Sequence, residues 1–487
     1  MPVPAGDDIF FSPLTDLVAR LRKREFSAVE LTKEFSDRLD KLGPGYNALA
    51  LSLRKDAIDK AKDVDRDLKR ERHRSPVHGI PYGAKDLLSY GGEVTAWGAA
   101  PFARQVFEEN ATAVDKLNRA GAILIGKLSM VELAGGPSYR YAAASATGPG
   151  LNPWDKTRWS GGSSSGSGSA VAAGLVGFAL GSETSGSILT PSAFCGVTGL
   201  RPTYGLVSRH GAMALSWTLD KIGPMGRTAE DCGLILSVMA GKDSDDPGSA
   251  GKGYYYGPQY ARPFPELTIG FHSSDWDTHA DEATRPALTQ AFEVFKSFGC
   301  KLKEIEIPDF PYGPVLSTIL GAEAGSIFED LIQSGDVDKL ADAKQIAGLK
   351  ATQDILARDY LRAMRIRTLI REAFHELFYK EVDVLLSPAR NNIAGKIADP
   401  LDRQGPAPSA PPRSRGLQGL IPAGNLAGLP ALCLPCGFAN NMPVAVQLVS
   451  RAFNENTLLA FGKQYQSQTD WHVRRPILAA AAVQAAP

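Results

Sequence analysis

Two neighbouring segments decide the reading of this chain, SGGSSSGSGSAVAAG (160–174) and GSETSGSI (181–188). Each is a Gly/Ser cluster set against apolar sequence, with Val171 to Leu180 lying between them. That apolar span suits a short helix over Ser169 to Ala173 followed by a buried strand over Val176 to Leu180. A flexible linker needs continuous low complexity, whereas these glycines sit where backbone N–H groups can converge on a ligand. The question they raise is chemical: which serine reacts, and what removes its proton.

At 487 residues with a formal net charge of zero, the chain is long enough for a large core. No extended block of like charge advertises nucleic acid or an anionic membrane as a partner. The charge run Arg66 to Arg74 alternates in sign and reads as a solvated helix face. Five cysteines, Cys195, Cys232, Cys300, Cys433 and Cys436, are odd in number and sparse, which suits buried thiols in a reducing cytoplasm. Cys433-Leu434-Pro435-Cys436 has redox or zinc spacing, but its flanks are apolar and no second Cys/His pair is nearby, so neither metal nor cofactor is expected. The start, MPVPAGDDIFF, lacks signal-peptide character, and no run of about 18 apolar residues occurs. A soluble cytoplasmic protein is expected.

Residues 12–74 carry helical periodicity. Leu14, Leu17, Val18 and Leu21 form one stripe, and Ser27-Ala28-Val29-Glu30 opens a second helix with a capping box that runs to Gly43-Pro44. A short strand over Ala48 to Leu51 precedes a long charged helix. In HGIPYGAKDLL (78–88) one lysine, Lys85, sits in an apolar segment; taken alone it reads as a surface charge paired with Asp86. ATAVDKLNRAGAILIGK (111–127) predicts a helix, a Gly stop and a buried strand. Its Gly121 to Lys127 spacing mimics a phosphate-binding loop, yet Leu128 stands where a hydroxyl is needed and AILI is strand rather than turn.

Apolar strands recur at 267–271, 382–388, 430–437 and 444–450 between helical patterns, which indicates a sheet covered on both faces. The Gly/Pro-rich stretches 241–265 and 398–415 read as long surface loops that can rim a pocket. A basic amphipathic helix, Tyr360 to Phe374, carries Arg362, Arg365, Arg367 and Arg371 on what reads as a solvated face. The tail 476–487 is expected to fray.

Taken together, GIPYGAKDL, GGSSSGSGSA, GSETSGSILTPSAFCGVTGLRPTYG and NLAGLPALCLPCG (425–437) resemble the amidase signature family across most of the chain, most specifically over 78–230. The resemblance implies a catalytic lysine at Lys85, a bridging serine at Ser163 after a cis Gly162-Ser163 peptide, and a nucleophile at Ser187, 24 positions further on. It also implies one large α/β domain over 1–487 with a twisted mixed sheet of about ten strands, the helical segment 1–74 packing against it. In chemical terms, a serine hydroxyl needs a positioned base. A desolvated lysine becomes neutral and can accept a proton from Ser163, which takes one from Ser187. Backbone N–H groups of Thr184, Ser185, Gly186 and Ser187 then receive the oxyanion, where one donor is worth about 3 kcal/mol in other enzymes. Two other readings remain: Gly162 to Gly166 fits a nucleophile elbow centred on Ser164, and the Gly/Ser clusters fit tight loop packing without chemistry.

Many family members of this length are the glutamine-hydrolysing subunit of a tRNA-dependent amidotransferase. This chain departs from their pattern, with Glu183, Ser185 and Leu189 in the nucleophile segment. Asp342 and Ala343 stand where a basic pair for a carboxylate is expected, and Gln418 where an aspartate for the ammonium is expected. A zwitterion buried without both partners is disfavoured. The expectation is a stand-alone hydrolase of a neutral or aromatic amide or carbamate, similar to aryl acylamidases and urethane-cleaving members. Tyr139, Tyr141, Trp217 and Tyr254 to Tyr256 are candidate pocket walls. The expected partner is a small-molecule substrate, with no nucleic acid or membrane, in a monomer or homodimer. A noncatalytic partner subunit is the class-level alternative, disfavoured by the presence of all three catalytic-type residues.

Overall fold

The computed structural model describes residues 3–4, 8–401 and 416–478. The apolar runs become an eleven-stranded mixed sheet: β1 (Leu49–Ser52), β2 (Pro81–Lys85), β3 (Ile123–Leu128), β4 (Phe178–Glu183), β5 (Thr198–Arg201), β6 (Lys221–Gly226), β7 (Thr268–Phe271), β8 (Lys301–Glu304), β9 (Val384–Pro388), β10 (Ala431–Ala439) and β11 (Met442–Ser450). Their spatial order is β8-β7-β9-β11-β10-β5-β6-β4-β2-β3-β1. Every residue of β2, β3, β4 and β6 is buried, as expected of strands covered on both faces. The edge strand β8, KLKE, is mostly exposed and carries two lysines, a composition that blunts edge-to-edge pairing.

The N-terminal helices bind to the sheet through the stripes their periodicity announced. Leu14, Leu17 and Leu21 of the helix Leu14–Arg22 are buried, as are Leu31, Phe35 and Leu39 of Ala28–Leu42. The capping box forms: Glu30 N–H donates to Ser27 Oγ at 3.1 Å, and Ser27 N–H donates to the Glu30 carboxylate at 2.8 Å. Leu14 N–H donates to Asp231 at 3.0 Å, fastening this segment to the helix Ala229–Met239.

Several boundaries differ from the sequence reading. The helix after the first Gly/Ser cluster covers Ser165–Ala172 rather than Ser169 to Ala173, and β4 begins at Phe178 rather than Val176 and extends to Glu183. Tertiary burial recruits the serines and glycines into regular structure despite their weak helix propensity. The basic helix is longer than expected, Ala357–Lys380, and its face is not wholly solvated. Arg367 is buried, donating through Nε to the Leu426 carbonyl at 2.8 Å and through Nη2 to the Thr218 carbonyl at 2.6 Å. Most of the 398–415 loop and of the tail lies outside the described residues.

Candidate active site

β2 and β4 run parallel as neighbours, with Ala84 paired to Leu180. This register brings their carboxyl ends together, the location where open α/β sheets place ligand sites. Lys85 closes β2 and is fully buried, and Ser163 and Ser182 beside it are buried too. Its Nζ lies 2.7 Å from Ser163 Oγ and 2.9 Å from Ser182 Oγ. Burial lowers the Lys85 pKa from its ordinary value to about 7, against the opposing pull of Asp220 and Glu183. Lys85 is therefore no surface partner of Asp86. The latter pairs instead with Lys127 at 3.0 Å, which also places the lysine of the phosphate-loop mimic in a buried ion pair.

Ser163 follows a cis Gly162-Ser163 peptide, and Ser187 follows Gly186, whose φ of +85° is left-handed and suits glycine. The backbone N–H groups of Thr184, Ser185, Gly186 and Ser187 have no acceptor among the described residues. Their loop is held from both ends. Glu183, buried, accepts from Ile188 N–H at 2.9 Å and Leu189 N–H at 3.0 Å, from Arg201 at 2.9 Å and from Asn425 at 2.9 Å. Burial raises the Glu183 pKa, but Arg201 and these donors outweigh it and hold the carboxyl below its ordinary value. At the other end, Thr184 Oγ1 donates to Asp220 at 2.5 Å, and Asp220 also accepts from Leu215 and Ser216 N–H. Ser163 and Ser187 share no hydrogen bond in this structure, so the first link from lysine to serine is made and the second is open.

Ser187 lines a cavity of about 340 Å³ together with Thr184, Ser185, Tyr139, Trp159 and Arg390. A second cavity of about 400 Å³ adjoins it, sharing Ala134, Thr184 and Leu215, and takes in Trp217, Asp220 and Lys221. The candidate aromatic walls thus divide. Tyr139 faces the Ser187 cavity, Trp217 the second cavity, and Tyr141 lies exposed. The tyrosines at 254–256 line neither: Tyr254 donates to Asn456, Tyr256 donates to Glu230, and Tyr255 is exposed. The loop 241–265 reaches the second cavity at its Asp245 to Gly248 end.

The elbow reading fails on geometry. The strand Asp155–Trp159 belongs to a separate two-stranded ribbon, and Ser164 Oγ is engaged with the Ser182 backbone, donating to its carbonyl at 3.2 Å. Asp342 caps the helix Ala343–Ala351 and accepts from Arg140 N–H at 2.6 Å and Tyr141 N–H at 2.8 Å, while Gln418 is exposed. Cys433 and Cys436 lie buried in β10, where burial pushes both thiols up. Among the described residues, no cluster of metal-ligating side chains is present and no helix is long and apolar enough to cross a membrane. Sequence reasoning missed Ser182, Asp220 and Arg390; none sits in a pattern that distinguishes it from ordinary strand or loop residues.

Residues 30–459 match the Amidase family model, and the chain belongs to the amidase signature family. It is 34% identical over 499 residues to a glutamyl-tRNA(Gln) amidotransferase subunit from Carboxydothermus hydrogenoformans, covering 97% of this chain and 100% of that one. Among solved structures it resembles the peptide amidase of Stenotrophomonas maltophilia, with a TM-score of 0.81 and 28% identity over 96% and 98% of the two chains. A chain from a vestigial complex that bears on the origins of an s-triazine catabolic enzyme gives a TM-score of 0.85 at 28% identity, over 96% and 100%.

Proposed function

We propose that this chain hydrolyses a C–N bond of a neutral or aromatic amide or carbamate through an acyl-enzyme on Ser187. The observation that carries this reading is a fully buried Lys85 amine, with its pKa lowered to about 7, 2.7 Å from Ser163 Oγ. The neutral amine accepts the Ser163 proton as Ser163 accepts that of Ser187, and Ser187 Oγ bonds to the carbonyl carbon. The second link, open in the free protein, tightens when substrate seats Ser187, a common behaviour of catalytic hydrogen bonds. The unpartnered N–H groups of 184–187 receive the oxyanion. As the C–N bond breaks, the proton held by Lys85 returns through Ser163 to the leaving nitrogen. Water then attacks the ester by the same relay and frees the acid and Ser187. The aromatic residues Tyr139, Trp159 and Phe194 of the cavity wall support an aromatic acyl part, and among the described lining residues none is a carboxylate that would answer a substrate ammonium.

A second reading, the glutamine-hydrolysing subunit of a tRNA-dependent amidotransferase, is favoured by the relatives of that name. Assay of the purified chain alone separates the two. Turnover of p-nitroacetanilide or an aryl carbamate supports the stand-alone hydrolase; a requirement for glutamine, tRNA and a partner subunit supports the other. Ser187→Ala is expected to abolish turnover and covalent labelling with the fold intact, and unchanged activity would reject the nucleophile.

A further inference from the structure

The cavity that holds Ser187 contains one charge that the relay does not use. Arg390 lies two residues beyond the end of β9, and its side chain is partly buried in the cavity wall, with Cζ 5.7 Å from the centre of the Phe194 ring. Among the described lining residues it is the charged one; the others are apolar, aromatic, glycine or hydroxyl-bearing. No carboxylate pairs with it among the described residues. The ionisable group that acts on it electrostatically is Tyr139, whose phenol burial keeps protonated and whose hydroxyl makes no hydrogen bond among the described residues. Trp159, on the same wall, has a buried indole N–H without an acceptor among them. Asp342, which acts on Tyr139 electrostatically, is already committed to four backbone N–H groups.

A guanidinium stays protonated even where burial works against it, and a desolvated one without a counter-ion is costly. Arg390 and Tyr139 therefore present donors to the Ser187 cavity, and among its described lining residues no carboxylate answers the guanidinium. A ligand that brings two acceptor oxygens and one negative charge removes this imbalance, and the planar fork of an arginine matches a carboxylate in a bidentate pair.

We propose that Arg390 is the specificity-determining residue of the cavity and binds a carboxylate on the substrate, so that amides bearing one negative group are preferred over their wholly neutral counterparts. This rests on the Ser187 hydrolase reading above and replaces its neutral substrate with an amide that bears one carboxylate. The carboxylate has two sources: the acyl part, as in the half-amide of a dicarboxylic acid, or the leaving amine, as in an N-acyl amino acid.

The test compares matched pairs by kcat/KM on the full chain: glutaramate against pentanamide for the acyl side, and hippurate against its methyl ester for the amine side, scoring amide cleavage only. The charged member of one pair is expected to exceed its neutral partner by about ten- to hundredfold, the range of a charged hydrogen bond, and the responding pair identifies the source. Arg390→Gln should erase that preference, chiefly through a raised KM for the charged member of the pair; Arg390→Lys should restore part of it. Calorimetry of glutaramate and hippurate on Ser187→Ala, with and without Arg390→Gln, reads the same contact without turnover. Equal use of charged and neutral amides by the unsubstituted protein, or equal binding by the two variants, overturns the proposal. Ser187-dependent turnover of neutral amides with no charge preference removes Arg390 alone; absence of turnover on any amide, with carboxylate binding intact, removes the hydrolase reading alone.

Discussion

The sharpest consequence of the proposed relay is a rate that depends on one buried amine being uncharged. Moving Lys85 from its ordinary 10.5 to about 7 corresponds to about 5 kcal/mol against the ammonium form, at 1.36 kcal/mol per pH unit. The sign follows from the role: a protonated Lys85 cannot accept from Ser163, so activity is present above the folded pKa and lost as pH falls through it. For a single proton, kcat/KM on a substrate without titrating groups should fall about tenfold per pH unit below 7 and level off above 8. Asp220 and Glu183 both pull the Lys85 pKa upward, and Glu183 is already paired with Arg201. Asp220→Asn should therefore move the acid limb to lower pH. Stopped initial rates between pH 5.5 and 9, with circular dichroism to confirm folding at each pH, measure both effects. A profile flat across pH 6 to 8, or a limb that Asp220→Asn moves upward, would refute the assignment of Lys85 as the neutral base.

Ser164→Ala should keep turnover within about tenfold and lower stability by about 1 kcal/mol in urea unfolding, the worth of one buried hydrogen bond; a loss as deep as that of Ser187→Ala would revive the elbow. Glu183→Ala strands a buried guanidinium and frees two backbone N–H groups. It should lower unfolding stability by about 3–5 kcal/mol, and a change under 1 kcal/mol would show that the Arg201 pair does not hold the loop.

The parts of the molecule that sequence made legible are those set by local pattern. The helical stripes of 14–39, the capping box at Ser27 and the strand at Ile123–Leu128 follow from side-chain periodicity and appear within a residue or two of expectation. Lys85 is the instructive exception, because its own neighbourhood reads as a surface charge and the motif context reversed that. Arg367 went the other way: an arginine on a basic helix face turned inward because two carbonyls, on Leu426 and Thr218, wait for it from elsewhere in the fold. Ser182 and Asp220 escaped notice because their value lies in distance to Lys85 and Thr184, which spacing along the chain does not encode.

That distinction explains why relay and substrate are unequally readable, and it yields a last prediction. Lys85, Ser182 and Glu183 lie on two adjacent parallel strands whose register fixes their relative positions. The cavity walls instead gather Tyr139, Phe194, Leu320 and Arg390 from segments scattered over about 250 residues of sequence. Glutamine carries both a carboxylate and an ammonium into that cavity, and Arg390 can answer the first while none of the cavity's described lining residues is a carboxylate to answer the second. Its analogue without the ammonium, glutaramate, keeps the same amide, chain length and carboxylate. An unpaired buried ammonium costs more than the amine's removal, so glutaramate should be hydrolysed with a kcat/KM at least about tenfold above that of glutamine. Competition between the two in one vessel, with each product followed by mass spectrometry, measures the ratio directly. A preference for glutamine would mean that the ammonium finds a partner the cavity does not show, and would return the chain to the amidotransferase reading.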